Sequence, residues 1–195
     1  MSSWIKTTAC FLIGFLLLGC HYQRSIDLPE EIYAAPDSNR YYHAKVGLFK
    51  FSEPSYASDV GTKATNILYK ELLKNKVFSN VNLEDSKAGY NRHSRINIAQ
   101  AKNYDLIITG EVLYYLEGSD FQETRIVQEI RVLRVKGNKA ELLWWAKAKE
   151  NVPPANAKDL IFFRAKGAAA PPIEDLMQRN AKKFAEMLLN QPPGE

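Results

Sequence analysis

The sequence is poor in the residue types from which most catalytic and metal sites are built. Its 195 residues include two cysteines and three histidines. The histidines, His21, His43 and His93, show no metal-ligand spacing and no HExxH motif, so they are interpreted as surface residues. A glycine-rich phosphate loop and a Gly-x-Ser-x-Gly nucleophile elbow are also missing. We therefore predict that the protein is not an enzyme, with no catalytic residue and no metal site.

The small number of cysteines limits which disulfides and zinc sites the chain could form. Cys10 lies within an apolar run near the amino terminus, and Cys20 follows shortly after that run. If the chain is cut before Cys20, no second thiol is left for a disulfide or for a cysteine-based zinc site. The folded part must then depend on its hydrophobic core, for which 46% hydrophobic residues are ample.

The apolar run itself is short. Residues 9–18 are apolar or small, whereas a membrane-spanning helix needs about 20 such residues. Lys6 precedes the run and the small residue Gly19 ends it, which is the three-part layout of a secretory signal. We predict a signal peptide over residues 1–19, cleaved after Gly19.

Residues 17–20 read Leu-Leu-Gly-Cys and resemble the lipobox of bacterial lipoproteins. In that family the cysteine thiol is acylated and the cysteine becomes the new amino terminus. The resemblance implies that Cys20 carries a covalent diacylglycerol and an N-acyl chain. Several acyl chains anchor a protein to a membrane more firmly than a single chain does. Lipoprotein sorting further implies the bacterial outer membrane, with the domain facing the periplasm, because His21 rather than aspartate follows Cys20. No other cofactor is expected.

Charge gives little support for a nucleic-acid partner. The formal net charge is +4, and no run of basic residues is longer than two. A nucleic-acid-binding surface requires basic residues clustered on one face. We expect the membrane as a partner through the lipid anchor, together with an envelope protein or further copies of the chain. Neither nucleic acid nor a small-molecule substrate is expected.

The remaining pattern predicts a tether over 20–42, one domain over 43–191 and a tail over 192–195. Strand and helix signals follow the order β-α-β-α-β-β-β-α, an α/β (α+β) fold with a single mixed sheet of about five strands and helices packed on it. Asp59 is the expected N-cap of the first helix. Gly110 in the central strand indicates a bulge or a close backbone approach.

Three stretches resemble a group of bacterial envelope lipoproteins. Residues 46–51 resemble their first strand, residues 61–73 with 77–81 their long helix followed by a short strand, and residues 101–112 their apolar run with a threonine-glycine-x-valine ending. The group includes the curli secretion channel subunit, the exopolysaccharide-export lipoprotein PelC, the lipoprotein activators of penicillin-binding proteins and the amino-terminal domain of TolB. These are framework residues, so the resemblance implies a fold rather than an activity.

Two aromatic pairs are the candidate partner-binding residues. Trp144 and Trp145 are adjacent in a predicted strand, so one should enter the core and the other should face outward. The outward tryptophan either lies under a helix or serves as an interface anchor. Phe162 and Phe163 precede a Gly/Pro-rich joint and are either a hydrophobic plug or a docking patch.

These observations lead to a functional prediction in two forms. The first is an outer-membrane-anchored periplasmic lipoprotein that acts as a non-catalytic accessory or assembly factor of an envelope machine. The alternative is an oligomeric ring component of a secretion or polysaccharide-export channel.

Overall fold

The computed structural model describes residues 28–34, 41–84, 91–155, 158–159, 164–165 and 167–189. These residues form eight strands and three helices. The strands are β1 (Glu31–Ala34), β2 (Lys45–Leu48), β3 (Asn80–Leu83), β4 (Leu106–Leu116), β5 (Thr124–Lys136), β6 (Lys139–Val152), β7 (Lys158–Asp159) and β8 (Arg164–Ala165). The helices are α1 (Val60–Lys74), α2 (Arg92–Ala101) and α3 (Ile173–Leu189).

The main sheet has the order β1-β6-β5-β4-β2-β3. Strand β2 runs parallel to both β3 and β4, whereas the β4–β5, β5–β6 and β1–β6 pairs are antiparallel. The prediction of one mixed sheet with helices packed on it is therefore confirmed. The sixth strand is β1, which comes from the stretch predicted as a tether.

One face of the sheet carries the main hydrophobic core. Helices α1 and α3 lie side by side on this face, because both present an apolar stripe at helical spacing. Phe184 of α3 and Leu72 of α1 are almost fully buried there. Ile108, Ile130 and Trp144 come from the central strands of the same face. The main hydrophobic core therefore occupies this face of the sheet, and the candidate site described below lies on the other face.

Among the described residues, α2 covers only part of the second face. Ile96 and Ala99 of this short helix pack against Phe49, Tyr104 and Ile107 in a smaller core. Helix α2 begins at Asn91, whose side-chain oxygen accepts a hydrogen bond from the backbone N–H of Ser94 at 2.8 Å. This cap fixes the end of α2 that carries the arginines discussed below.

The start of α1 differs from the prediction in one respect. Asp59 occupies the N-cap position, but it has φ 63° and its side chain accepts no hydrogen bond from the helix. The backbone N–H of Gly61 instead donates to the Glu53 carboxylate at 2.7 Å. A carboxylate eight residues upstream therefore supplies the negative charge that the helix amino terminus favours.

The long hairpin β5–β6 turns at Gly137, which has φ 54°. Its ladder is regular except between Val132 and Leu133, where β6 contains one extra residue, Leu143. A second irregularity lies in β4 between Val112 and Tyr114. Each bulge re-aims the side chains that follow it.

Candidate functional site

The part of the second sheet face that α2 leaves uncovered is the candidate site. We call it the open face and define it by Tyr33, Thr109, Glu129, Arg131 and Trp145. Strands β1, β4, β5 and β6 each contribute at least one of these residues. Because neighbouring strands fix their spacing, the side chains are held on a rigid scaffold.

A cavity of about 460 Å³ lies between α2 and the open face. Ile107, Leu133 and Leu142 provide an apolar floor. Arg92 and Arg95 reach it from α2, and Arg131 and Trp145 reach it from the sheet. This volume falls within the range of about 300–1,000 Å³ that is usual for small-molecule sites.

Trp145 forms one wall of the cavity and is held from several directions. Its ring lies 4.6 Å from the Tyr33 ring, centroid to centroid, and the Arg131 guanidinium carbon lies 4.9 Å from its centroid. Its indole N–H donates to the Glu129 carboxylate at 3.3 Å. The partly exposed indole is therefore fixed in one orientation.

The three arginines of the cavity differ in their surroundings. Arg131 forms an ion pair of 2.6 Å with Glu129, which is buried. Arg92 donates to the carbonyl oxygen of Ala140 at 2.8 Å. Arg95 is partly buried, and burial lowers the pKa of its guanidinium. The cavity therefore holds positive charge in a place with reduced access to water.

A smaller cavity of about 210 Å³ adjoins the first and shares Arg95, Thr109 and Arg131 with it. Its other lining residues include Glu111 and Glu129. The combined surface is thus electrostatically uneven, with Arg92 and Arg95 on α2 and the carboxylates of Glu111 and Glu129 on β4 and β5.

A second polar cluster lies at the opposite end of α2. Glu84 is buried, accepts hydrogen bonds from Lys102 at 2.6 and 2.9 Å, and also accepts one from the Tyr104 hydroxyl. Burial and the bond to Glu84 raise the pKa of Tyr104, so that its hydroxyl stays protonated and continues to donate. We interpret this cluster as a structural tie between the end of β3 and the end of α2.

The structure places the two tryptophans of the predicted pair on opposite faces of the sheet. Trp144 is buried in the main core, where its ring centroid lies 5.4 Å from that of Tyr41, whereas Trp145 points to the open face. This agrees with the expected alternation, and Trp145 lies across the cavity from α2. Phe162 and Phe163, and the predicted lipid and cleavage residues Cys20 and Gly19, lie outside the described residues.

Exposed apolar residues of the β4–β5 hairpin, and Tyr56 beside β4, were missing from the sequence-based candidates. Phe121 is 96% exposed and Tyr56 is 63% exposed. Tyr56 also lines a shallow cavity of about 610 Å³ with Leu113 and Tyr114. We call Tyr56, Leu113, Tyr114 and Phe121 the tip patch. The turn residues just before Phe121 were a usable signal, because a side chain at a hairpin tip has little to pack against.

The described part of the chain shows neither a set of metal ligands nor a membrane-spanning helix. It contains no group of three or more His, Cys, Asp or Glu side chains placed to hold a metal ion. Within the same residues, no helix has both the length and the apolar character needed to cross a membrane.

Comparison with known proteins gives structural likeness alone. No protein-family model matches the sequence, and no curated protein matches it. Among solved structures, a PelC dodecamer from Paraburkholderia phytofirmans is similar at TM-score 0.59 and 16% identity, over 82% of this chain and 95% of that one. A dodecamer of a PelC variant from the same organism gives 0.58 and 16%, over 82% and 96%. A lipoprotein from Neisseria meningitidis gives 0.41 and 13%, over 55% and 82%.

The similarity to PelC spans nearly the whole PelC subunit, so the two chains share their fold. At this level of identity the likeness says nothing about individual site residues.

Proposed function

We propose that this chain is a lipid-anchored, non-catalytic component of a bacterial envelope machine and that it works as a ring of its own copies in polysaccharide or protein export. Cys20 would attach it to the outer membrane, with the folded domain in the periplasm. The observation that carries the proposal is the likeness to two dodecameric PelC structures over 95% and 96% of the PelC chains.

The ring form is preferred to the monomeric accessory factor that the sequence suggests first. A ring requires a heterologous interface, in which two different surfaces of the same chain meet. The tip patch offers one exposed apolar surface, with Phe121 96% exposed. Among the described residues, strand β3 lies at one edge of the sheet, and the backbone groups of an edge strand can provide a second kind of contact. These features support self-association.

The test is the oligomeric state of the full-length lipidated chain in a neutral detergent. We expect native mass spectrometry and electron microscopy to show a closed, symmetric ring. A species that remains monomeric at every accessible concentration would contradict the ring. The accessory form would then be tested by co-purification with a specific envelope protein.

A pair of variants makes this test sharper. Phe121→Ser removes the most exposed side chain of the tip patch and should weaken the ring. Leu189→Ser is the matched control, because Leu189 is also an exposed apolar residue but lies at the end of α3. Equal effects of the two substitutions would exclude the tip patch as the contact.

A further inference from the structure

We propose that the two edges of the main sheet form the contact between neighbouring copies of this chain, with β1 of one copy pairing antiparallel with β3 of the next. Among the described residues, β1 and β3 are the first and last strands of the sheet. This inference rests on the proposed ring and deepens it, because it names the surfaces that meet. Each copy carries one edge of each kind, so the contact is heterologous and can close into a ring.

Exposed apolar side chains gather at both edges of the sheet. On the β1 side, three large apolar residues are 42–50% exposed: Leu28, Ile32 and Tyr33. On the β3 side, three more are 42–46% exposed: Tyr42, Leu73 and Leu83. Leu73 lies in the last turn of α1, which leads into β3, and the Tyr42 carbonyl accepts a hydrogen bond from the backbone N–H of Ser79 just before β3. Apolar surface gathered in this way marks an interaction site.

The directions of the strands fit this pairing. Strand β2 is parallel to β3 and β4, and the three antiparallel steps from β4 through β5 and β6 to β1 leave β1 pointing opposite to β3. When two copies stand side by side in the same orientation, β1 of one copy therefore meets β3 of the next as an antiparallel neighbour. Antiparallel pairs are slightly more stable per residue than parallel ones.

The side chains at the two edges lie on the same face. Ile32 is opposite Ala146 and Leu83 is opposite Leu48, and both of these partners belong to the main core. Residues directly opposite each other in a sheet share a face, so Ile32 and Leu83 lie on the face that carries the main core. In a sheet that continues from copy to copy, the two side chains would be cross-strand neighbours and would cover each other's exposed surface.

The two strands lack the residues that most often protect a sheet edge. Strand β1 reads Glu-Ile-Tyr-Ala and β3 reads Asn-Val-Asn-Leu, without lysine or proline. Each strand has four residues, so the ladder between copies would be short and the apolar residues beside it would enlarge the contact. The tip patch is a separate surface, and Phe121→Ser measures its contribution.

The first experiment joins the two edges covalently in the full-length chain in a neutral detergent. A chain with both Ile32→Cys and Leu83→Cys is treated with a short bismaleimide. Within one copy these positions lie on the first and last of six strands, about 24 Å apart across five strand spacings. A short linker therefore joins them only between copies. We expect a ladder of covalent oligomers that ends at the closed ring.

Three controls accompany this experiment. Ile32→Cys alone and Leu83→Cys alone should give no ladder, and they also account for Cys10 and Cys20, which are present in the sequence of every variant. Ile32→Cys combined with Lys63→Cys is the matched pair, because Lys63 is exposed but forms an ion pair with Glu174 of α3, on the side of α1 that faces α3. This combination should give no ladder either.

The second experiment tests direct contact by exchange of charge. Ile32→Glu and Leu83→Lys should each raise the concentration at which half of the chains are assembled by about fivefold or more. The double variant should recover assembly, because opposite charges across neighbouring strands attract. Leu142→Lys is the matched control for Leu83→Lys, since Leu142 is almost equally exposed but lies on β6 at the large cavity. Thermal unfolding by circular dichroism establishes that each variant is folded.

The outcomes separate this inference from the proposed function. A ring seen by native mass spectrometry, with no ladder in the Ile32→Cys and Leu83→Cys chain and unchanged assembly in the charge variants, would overturn the edge pairing and leave the ring intact. A chain that stays monomeric would overturn both. Covalent dimers in either single cysteine variant would contradict the pairing of β1 with β3, because they would show that two copies of the same edge meet.

Discussion

At the scale of single residues, Lys183 of α3 forms ion pairs with two other parts of the fold. Its side chain is 8% exposed and forms two ion pairs of 2.7 Å, one with Glu30 just before β1 and one with Glu150 of β6. The three residues connect the chain segment entering the domain, the sheet and the last helix. Buried charges of this kind are costly to leave without a partner.

The substitution Lys183→Met should therefore destabilise the fold by about 2–3 kcal/mol, because Glu150 would remain largely buried with less compensation. The value is below that of a fully buried pair because Glu30 is 44% exposed and Arg179 stays within 3.6 Å of Glu150. Denaturant unfolding of the full-length chain measures the loss. The control is Lys63→Met, which breaks an exposed pair with Glu174 and should cost no more than about 1 kcal/mol. Similar losses in both variants would contradict this account of Lys183.

A second residue-scale prediction concerns pH. Burial by itself would raise the pKa of Glu30, but hydrogen bonds from Lys183 and from the backbone N–H of Lys149 outweigh it, so the pKa is lowered from 4.5. A carboxyl group with a lowered folded-state pKa contributes stability above its unfolded pKa and loses it as the pH falls through the folded value. Glu30 should therefore stabilise the protein at neutral pH and stop doing so in acid below 4.5.

The measurement is the denaturation midpoint of the protein and of Glu30→Gln across this pH range. The difference between them should be largest near neutral pH, at less than about 1 kcal/mol because the carboxylate is partly exposed, and should disappear in acid. Two curves that stay parallel at all pH values would show that Glu30 does not titrate with folding.

At the scale of elements, the central strand β4 depends on a glycine. A Cβ atom at Gly110 would overlap the ring of Phe51, which is itself 1% exposed. Of the two predicted reasons for this glycine, the bulge of β4 lies further along at Leu113, and the group that approaches Gly110 closely is the Phe51 side chain rather than another backbone. Phe51 uses the space above Gly110 to cover the junction of β2 and β4.

The substitution Gly110→Ala should cost about 1–3 kcal/mol, as expected for overpacking of a dense core. Gly137→Ala is a useful comparison, because nothing lies within 4 Å of the Cβ position and the cost there comes from φ 54° alone. That cost should be about 1 kcal/mol. Both values come from denaturant unfolding, and a Gly110→Ala variant as stable as the parent would show that Phe51 moves aside freely.

At the scale of the whole molecule, the predicted anchor residue Cys20 lies close in the sequence to the first described residues of the domain. Glu30 binds Lys183, and β1 follows immediately and pairs with β6 through Glu31 and Ile32. Glu30 is ten positions after Cys20 in the sequence, a span of at most about 36 Å when fully extended. An anchor at Cys20 would therefore hold the domain close to the membrane surface, with β1 and β6 near the point where the chain enters the domain.

The prediction at this scale concerns the expected lipid attachment at Cys20. Cys20→Ser should abolish labelled palmitate incorporation and release the protein from membranes, because the acyl chains supply the binding energy. His21→Asp is the control for location: it should leave acylation intact while changing the membrane in which the protein is found. Unchanged membrane attachment in Cys20→Ser would exclude the lipid anchor.

The sequence by itself determined the parts of this protein that depend on local pattern. The amphipathic periods of α1 and α3, the apolar run of β4 and the turn at Gly137 follow from interactions between near neighbours in the chain. The mixed sheet follows from their order, and the placement of Trp144 and Trp145 on opposite faces follows from the pleat of a strand. None of these features requires knowledge of distant contacts.

The tertiary structure alone decided which residues share the cavity. Simple alternation along β6 would place Leu142 on the same face as Trp144, but the bulge at Leu143 reverses this and puts Leu142 beside Trp145. Arg92 and Arg95 lie on α2, and their distance from Arg131 depends on how that helix packs against the sheet. A bulge and a helix packing position are set by long-range fit rather than by neighbouring residues, so periodicity could not reveal this site.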